Sequence, residues 1–214
     1  MGGGRENTRG TPQGGVISPL LANLYMNRFL KYWRQRDCGR RFQAQLVSYA
    51  DDFVILSRGH AAQAKEWAKS TLARLGLTLN EEKTSLKDAR RERFTFLGYA
   101  FGPHRLRRDG SWYLGASPSS RSVQRCKVAV SGLLGAGNMA PWEEIRDQLN
   151  RSIRGWTAYF SYGSCARAYR DLEHHIRNRV LRFLRRRHKA DRGGRPDLDV
   201  FGRRGVLRPK SVSP

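Results

Sequence analysis

The hydrophobic period changes once along this 214-residue chain, near Ser117-Pro118, and that change limits what it can fold into. Before it, short β-prone runs mix with two helical stretches. After it, apolar residues recur every three or four positions over three long segments. Strands gathered in one part of a chain and helices in the other point to an α+β fold.

Residues 1–16 carry no periodicity and read as a loop ending in Gly10-Thr11-Pro12-Gln13-Gly14-Gly15. Ser18 is the expected N-cap of a first helix, with Pro19 at its first position and Leu20, Leu21, Leu24, Tyr25, Phe29, Tyr32 and Trp33 at helical spacing. Asp37 to Gln43 reads as a polar connection. Leu46–Ala50 and Phe53–Ser57 are two β-prone runs separated only by Asp51 and Asp52, which predicts a hairpin with both carboxylates at its tip. A helix over about 61–75 ends at Gly76, and Phe94–Phe101 reads as one strand stopped by Gly102-Pro103. Arg105 to Leu114 suggests a small hairpin turning at Asp109-Gly110. Helices are expected over about 119–135, 141–161 and 166–189, the last with Leu172, Ile176, Val180 and Leu184 four apart. The Gly-, Arg- and Pro-rich end reads as a loosely packed tail.

Charge narrows the function classes. There are 41 Lys+Arg against 18 Asp+Glu, net +23, which makes a polyanion, nucleic acid first, the expected partner. The excess is +8 over residues 1–100 and +15 over 101–214, so bulk phosphate contact is expected in the second half. Seven basic residues (Arg177, Arg179, Arg182, Arg185, Arg186, Arg187, Lys189) follow one another with no Asp or Glu among them. A one-signed helix face repels itself and is relieved by bound phosphate, so these seven are the candidate RNA contacts. Cys38, Cys126 and Cys165 are odd in number and far apart, which argues against a disulfide framework or a cysteine zinc site. No apolar run reaches the roughly 20 residues of a membrane span, so no membrane partner is expected. His174, His175 and His188 show no metal pattern and are expected at the surface or facing RNA.

Asp51 and Asp52 are the candidate chemistry. Adjacent carboxylates repel each other, and a divalent cation offsets that. Mg²⁺ takes hard oxygen ligands, usually one or two carboxylates plus substrate phosphates. An ordinary solvated Asp-Asp turn is the plain alternative.

Motif order resolves that choice. Gly10–Leu20, then Tyr49-Ala50-Asp51-Asp52, then Leu75-Gly76-Leu77 with Asn80 and Lys83-Thr84, then Phe96-Leu97-Gly98-Tyr99 resembles the latter half of a reverse transcriptase. With Arg154-Gly155-Trp156-Thr157-Ala158-Tyr159-Phe160 and the arginine-rich helix, it resembles the reverse transcriptase/maturase encoded by bacterial group II introns. The resemblance spans roughly residues 8–190. It implies a partial reverse-transcriptase palm over 1–116, a helical thumb/maturase domain over 117–190 and a basic flexible tail over 191–214.

The resemblance also implies roles. Asp51 and Asp52 match the catalytic, metal-binding pair, Asp51 foremost, with two Mg²⁺ in the complete enzyme. Tyr49 and Ala50 lie beside primer end and nucleotide. Pro12, Gln13, Gly14 and Gly15 line the incoming nucleotide and template. Lys83 reaches phosphate or supports the palm, and Phe96–Tyr99 grips the primer. The implied partners are intron RNA, an RNA template, a DNA primer and deoxynucleotides, in the bacterial cytoplasm. Family fingers and a further metal-binding Asp have no match in the sequence. The expectation is therefore a C-terminal fragment inactive alone, with a separately encoded N-terminal half as a possible partner. The competing reading is a non-catalytic RNA-binding module that assists splicing.

Overall fold

The computed structural model describes residues 16–106, 108–187 and 199–210. The chain forms two compact units, residues 1–86 and 87–214. The boundary between units reflects packing and precedes the change of period at the end of the last strand.

In the first unit, α1 (Ser18–Gln35) is followed by a short α2 (Cys38–Arg41), β1 (Ala44–Tyr49), β2 (Asp52–Ser57) and α3 (Ala61–Arg74). The expected cap at Ser18 is displaced: Ile17 holds the cap position without a side-chain hydrogen bond, and Pro19 sits in the first turn. The polar connection after α1 contains α2, because Cys38 and Phe42 are buried beside Trp33. Met26, Phe29 and Trp33 form the buried stripe of α1. Phe29 meets Phe53 and Trp67 at ring-centroid distances of 5.2 and 5.8 Å, and Trp33 meets Trp67 edge-on at 5.4 Å. On α3 the buried positions Ala64 and Ala68 are small, which admits these large rings. α3 ends as expected at Gly76 (φ 74°), where Gly76 N–H donates to Ala73 O and Leu77 N–H to Leu72 O, a Schellman closure.

The second unit begins with an antiparallel sheet of β3 (Phe94–Phe96), β4 (Tyr99–Arg105) and β5 (Trp112–Pro118), in the order β3-β4-β5. The single strand expected over Phe94–Phe101 is instead a hairpin, with Phe96 paired to Tyr99. Leu97 and Gly98 both have positive φ (49° and 79°), the requirement of a type I′ two-residue turn. Gly102-Pro103 does not stop β4, which runs on to Arg105 because β5 pairs along its whole length.

The helices α4 (Ser120–Leu133), α5 (Trp142–Tyr159) and α6 (Ala166–Arg187) complete this unit. Ser119 caps α4 by accepting from Ser122 N–H at 3.2 Å. Glu143 and Glu144 occupy the first turn of α5, where the helix dipole favours them. Val130, Ile145, Leu149, Leu172, Ile176 and Val180 form the centre of one core. The tail departs from the expectation of loose packing over 199–210. Val200 and Val206 are buried in that same core, and Asn150 clamps the segment through Gly205 O (2.9 Å) and Leu207 N–H (2.8 Å).

Candidate functional site

The β1–β2 hairpin is backed by a packed face and presents a polar end. Leu46, Phe53 and Ile55 pack against the core built on Met26, Phe29, Ala68 and Leu72. The opposite face carries Val47, Tyr49 and Leu56, all exposed. The turn differs in detail from the expectation. Tyr49 pairs with Asp52, so the two-residue loop is Ala50-Asp51 and Asp52 begins β2. Ala50 has φ 52°, the left-handed region, at a cost of about 1–2 kcal/mol for an L-residue. Strain of this kind gathers at working sites because the surroundings must hold it in place.

Asp51 and Asp52 are both exposed, and neither forms an ion pair among the described residues. Two uncommitted carboxylates on a rigid hairpin fit Mg²⁺, which leaves remaining positions to water and phosphate oxygens. No group of three or more His, Cys, Asp or Glu side chains gathers for a metal among the described residues. Pro12, Gln13, Gly14 and Gly15 lie outside the described residues, as do Lys189 and His188.

Lys83 sits in a turn closed by Asn80, whose Oδ1 accepts Lys83 N–H at 3.1 Å while its carbonyl accepts Thr84 N–H and Oγ1–H. The Lys83 ammonium is exposed. Nearby, Lys69 pairs with Glu81, which holds the Glu81 carboxyl below its usual range. The Asn-x-x-Lys-Thr spacing is therefore a turn closed by Asn80, with Lys83 exposed and in no ion pair among the described residues.

In the second unit the Leu97-Gly98 turn is held from three sides. Tyr159 Oη donates to Leu97 O at 2.9 Å; Ser119 N–H and Ser122 Oγ–H both donate to Gly98 O at 2.9 Å. A Cβ at Gly98 would stand 3.0 Å from Ser122 Oγ and 3.1 Å from Phe160 Cζ, so glycine is required for space as well as φ. Beside the turn lies an open cleft of about 480 Å³, lined by the buried Cys126 and half-buried Trp156 together with Arg125, Ser152 and Tyr159. Burial pushes the Cys126 thiol up to about 11, so it stays a protonated, unreactive lining group. Tyr169 donates to Phe160 O at 2.7 Å, and burial pushes its own hydroxyl up to about 12, which keeps it a donor. Periodicity did not reveal this cleft, because its walls come from a strand turn and two helices.

The basic helix is less uniform than its sequence. Arg182, Arg185 and Arg186 are exposed on α6, and Arg177 is half-buried. Arg179 instead donates to Ser131 O (3.0 Å) in the last turn of α4, and Arg187 donates to Met139 O (2.8 Å) with its guanidinium over Phe183. These two are tied to carbonyls of their own unit. His174 is exposed, whereas His175 is half-buried, its Nε2 near Lys127 O (3.1 Å) and Ser131 Oγ (3.0 Å). His175 thus corrects the expectation of a surface histidine.

Comparison with known proteins divides the chain at a different place from its two compact units. Residues 1–101 match the family described as reverse transcriptase (RNA-dependent DNA polymerase), so the hairpin, α1, α3 and the first strands of the second unit are polymerase elements. Residues 123–197, covering α4 to α6, match the group II intron, maturase-specific domain. The chain belongs to the reverse transcriptase/maturase family of group II introns. It is also similar to Protein YkfC of Escherichia coli (strain K12), 33% identical over 140 residues, an alignment covering 51% of this chain and 35% of YkfC. The chain thus aligns with about a third of the length of that curated relative. No helix among the described residues is long and apolar enough to cross a membrane.

Proposed function

We propose that this chain serves RNA-directed DNA synthesis and intron splicing, with Asp51 and Asp52 as its metal-binding carboxylates. The observation that carries the reading is the hairpin end: two adjacent, uncommitted carboxylates on strands whose other face is packed on aromatic residues. In the reaction, a primer 3′-hydroxyl attacks the α-phosphate of a deoxynucleotide and pyrophosphate leaves. Mg²⁺, when bound, stabilises the attacking and leaving oxygens. Asp51 and Asp52 hold and orient that charge. Tyr49, exposed beside them, offers a ring to the nucleotide, and Ala50 keeps the turn free of bulk. Lys83 meets phosphate. The Leu97-Gly98 turn and its cleft seat the primer strand, and the exposed arginines of α6 meet intron RNA or the RNA template. Two carboxylates are a partial ligand set for two ions, so further oxygen ligands have to come from the substrate or from another carboxylate.

Mn²⁺ tests the metal site as a paramagnetic stand-in for Mg²⁺. Amide signals of Tyr49–Phe53 should broaden at low Mn²⁺ in the wild type. They should stay sharp in the Asp51→Asn, Asp52→Asn double variant, which keeps the turn and removes the charge. Equal broadening in both would refute the assignment. A second reading, an RNA-binding module without catalysis, is favoured by the exposed Arg182, Arg185 and Arg186 on a unit that owns its core.

A further inference from the structure

The β4–β5 hairpin carries apolar side chains that no packing in its own unit explains. Trp112 is 70% exposed and Leu114 is 63% exposed, two positions apart and therefore on one face of β5. Their cross-strand partners are Arg105 and Pro103, which share that face. The opposite face is ordinary: His104 is buried, against the Tyr113 ring at 5.8 Å. The indole is thus left in water across the ladder from Arg105, while His104 on the other side of the same strands is buried.

The described residues of the tip beyond it hydrogen-bond to one another. Leu106 N–H donates to Ser111 O (2.8 Å) and Gly110 N–H to Leu106 O (3.0 Å). Arg105 Nε donates to Gly110 O at 3.0 Å, and Ser111 donates twice to Asp109 Oδ1. Asp109 is the acidic group of the tip. Its carboxylate lies 3.9 Å from the Arg108 guanidinium. A ring on a strand paired along its whole length to β4 loses less freedom on contact than one on a free loop, which favours binding.

We propose that the Trp112 face of this hairpin is a stacking platform for an unpaired base of single-stranded RNA, with Arg105, exposed and bonded to Gly110 O through Nε alone among the described residues, meeting the neighbouring phosphate. An exposed aromatic flanked by arginine on a basic protein suits a strand that offers π faces and negative charge together. A duplex hides its base faces and gains nothing from the indole. The proposal rests on the nucleic-acid reading above and adds a contact outside both the carboxylate hairpin and the Leu97-Gly98 cleft.

The test uses the full chain and two fluorescent RNAs of equal length at one salt concentration, an unstructured single strand and a blunt duplex, read by anisotropy. Trp112→Ala should weaken the single strand roughly tenfold, within the range of one lost base–aromatic stack, and leave the duplex within about twofold. Trp112→Phe should retain most of the single-strand affinity. An unchanged single-strand affinity in Trp112→Ala, or an equal loss on both RNAs, would overturn the platform alone. A wild-type chain that binds neither RNA would overturn the nucleic-acid reading with it.

Discussion

Asn150 ties residues 199–210 to α5 through a single amide. Its Nδ2 donates to Gly205 O at 2.9 Å and its Oδ1 accepts Leu207 N–H at 2.8 Å, so it pairs with the segment much as a neighbouring strand does. Asn150→Ala removes both bonds. Two neutral bonds at about 1 kcal/mol each give about 2 kcal/mol lost. The segment also buries Val200 and Val206, each contributing roughly 1.5–3 kcal/mol, an upper range because the open segment keeps some contacts. The docked state should therefore survive the substitution but open more often, as a local unit. Hydrogen exchange read by mass spectrometry reports this at Gly205 and Val206, whose amides bond within the segment to Gly202 O and Val200 O. Leu207 is a poor reporter, since the substitution removes its acceptor directly. Exchange at Gly205 and Val206 should rise about 30-fold, at 1.4 kcal/mol per factor of ten, while α5 and α6 core amides keep their protection. Asn150→Asp keeps an acceptor for Leu207 but sets a carboxylate against the Gly205 carbonyl, so it should exchange at least as fast as wild type. Unchanged exchange in Asn150→Ala would refute the clamp. An equal rise throughout the helices would show that the segment and the core open together.

The arginines of α6 should separate into two groups. Replacing Arg182, Arg185 and Arg186 with Gln should lower the log–log salt slope of RNA binding by up to about 3, at roughly 0.9 per phosphate, with circular dichroism unchanged. Arg179→Gln should instead cost about 1–2 kcal/mol in denaturant unfolding through the lost bond to Ser131 O, with a smaller change in slope. His175 predicts a pH effect on the second unit. Burial, with Lys127 and Arg179 adding repulsion and Asp171 and the Lys127 carbonyl opposing it, holds its imidazole below the usual 6.5. The unfolded chain therefore binds that proton first, and stability present above pH 6.5 is lost as pH falls toward the folded value. His175→Gln should flatten the urea-unfolding profile in that window, and an unchanged slope would remove His175 as its cause.

The sequence alone determined the five long helices, the glycine end of α3 at Gly76, the presence of a hairpin carrying the two carboxylates and the family, because these are written in local periodicity and motif order. α6 shows why: Leu172, Ile176 and Val180 recur every four residues, and each is almost wholly buried. Only the tertiary structure decided the rest, since it depends on residues far apart in the chain. The Phe94–Phe101 run bends because Leu97 and Gly98 take positive φ and their carbonyls find Tyr159, Ser119 and Ser122. Of the six arginines from Arg177 to Arg187 on α6, two are spent on carbonyls of Ser131 and Met139, 48 positions away, which no pattern of charge can announce. Asn150 and the tail are 55 positions apart, so the bond that turns a basic, Gly-rich stretch into part of the core exists only once the helices have packed.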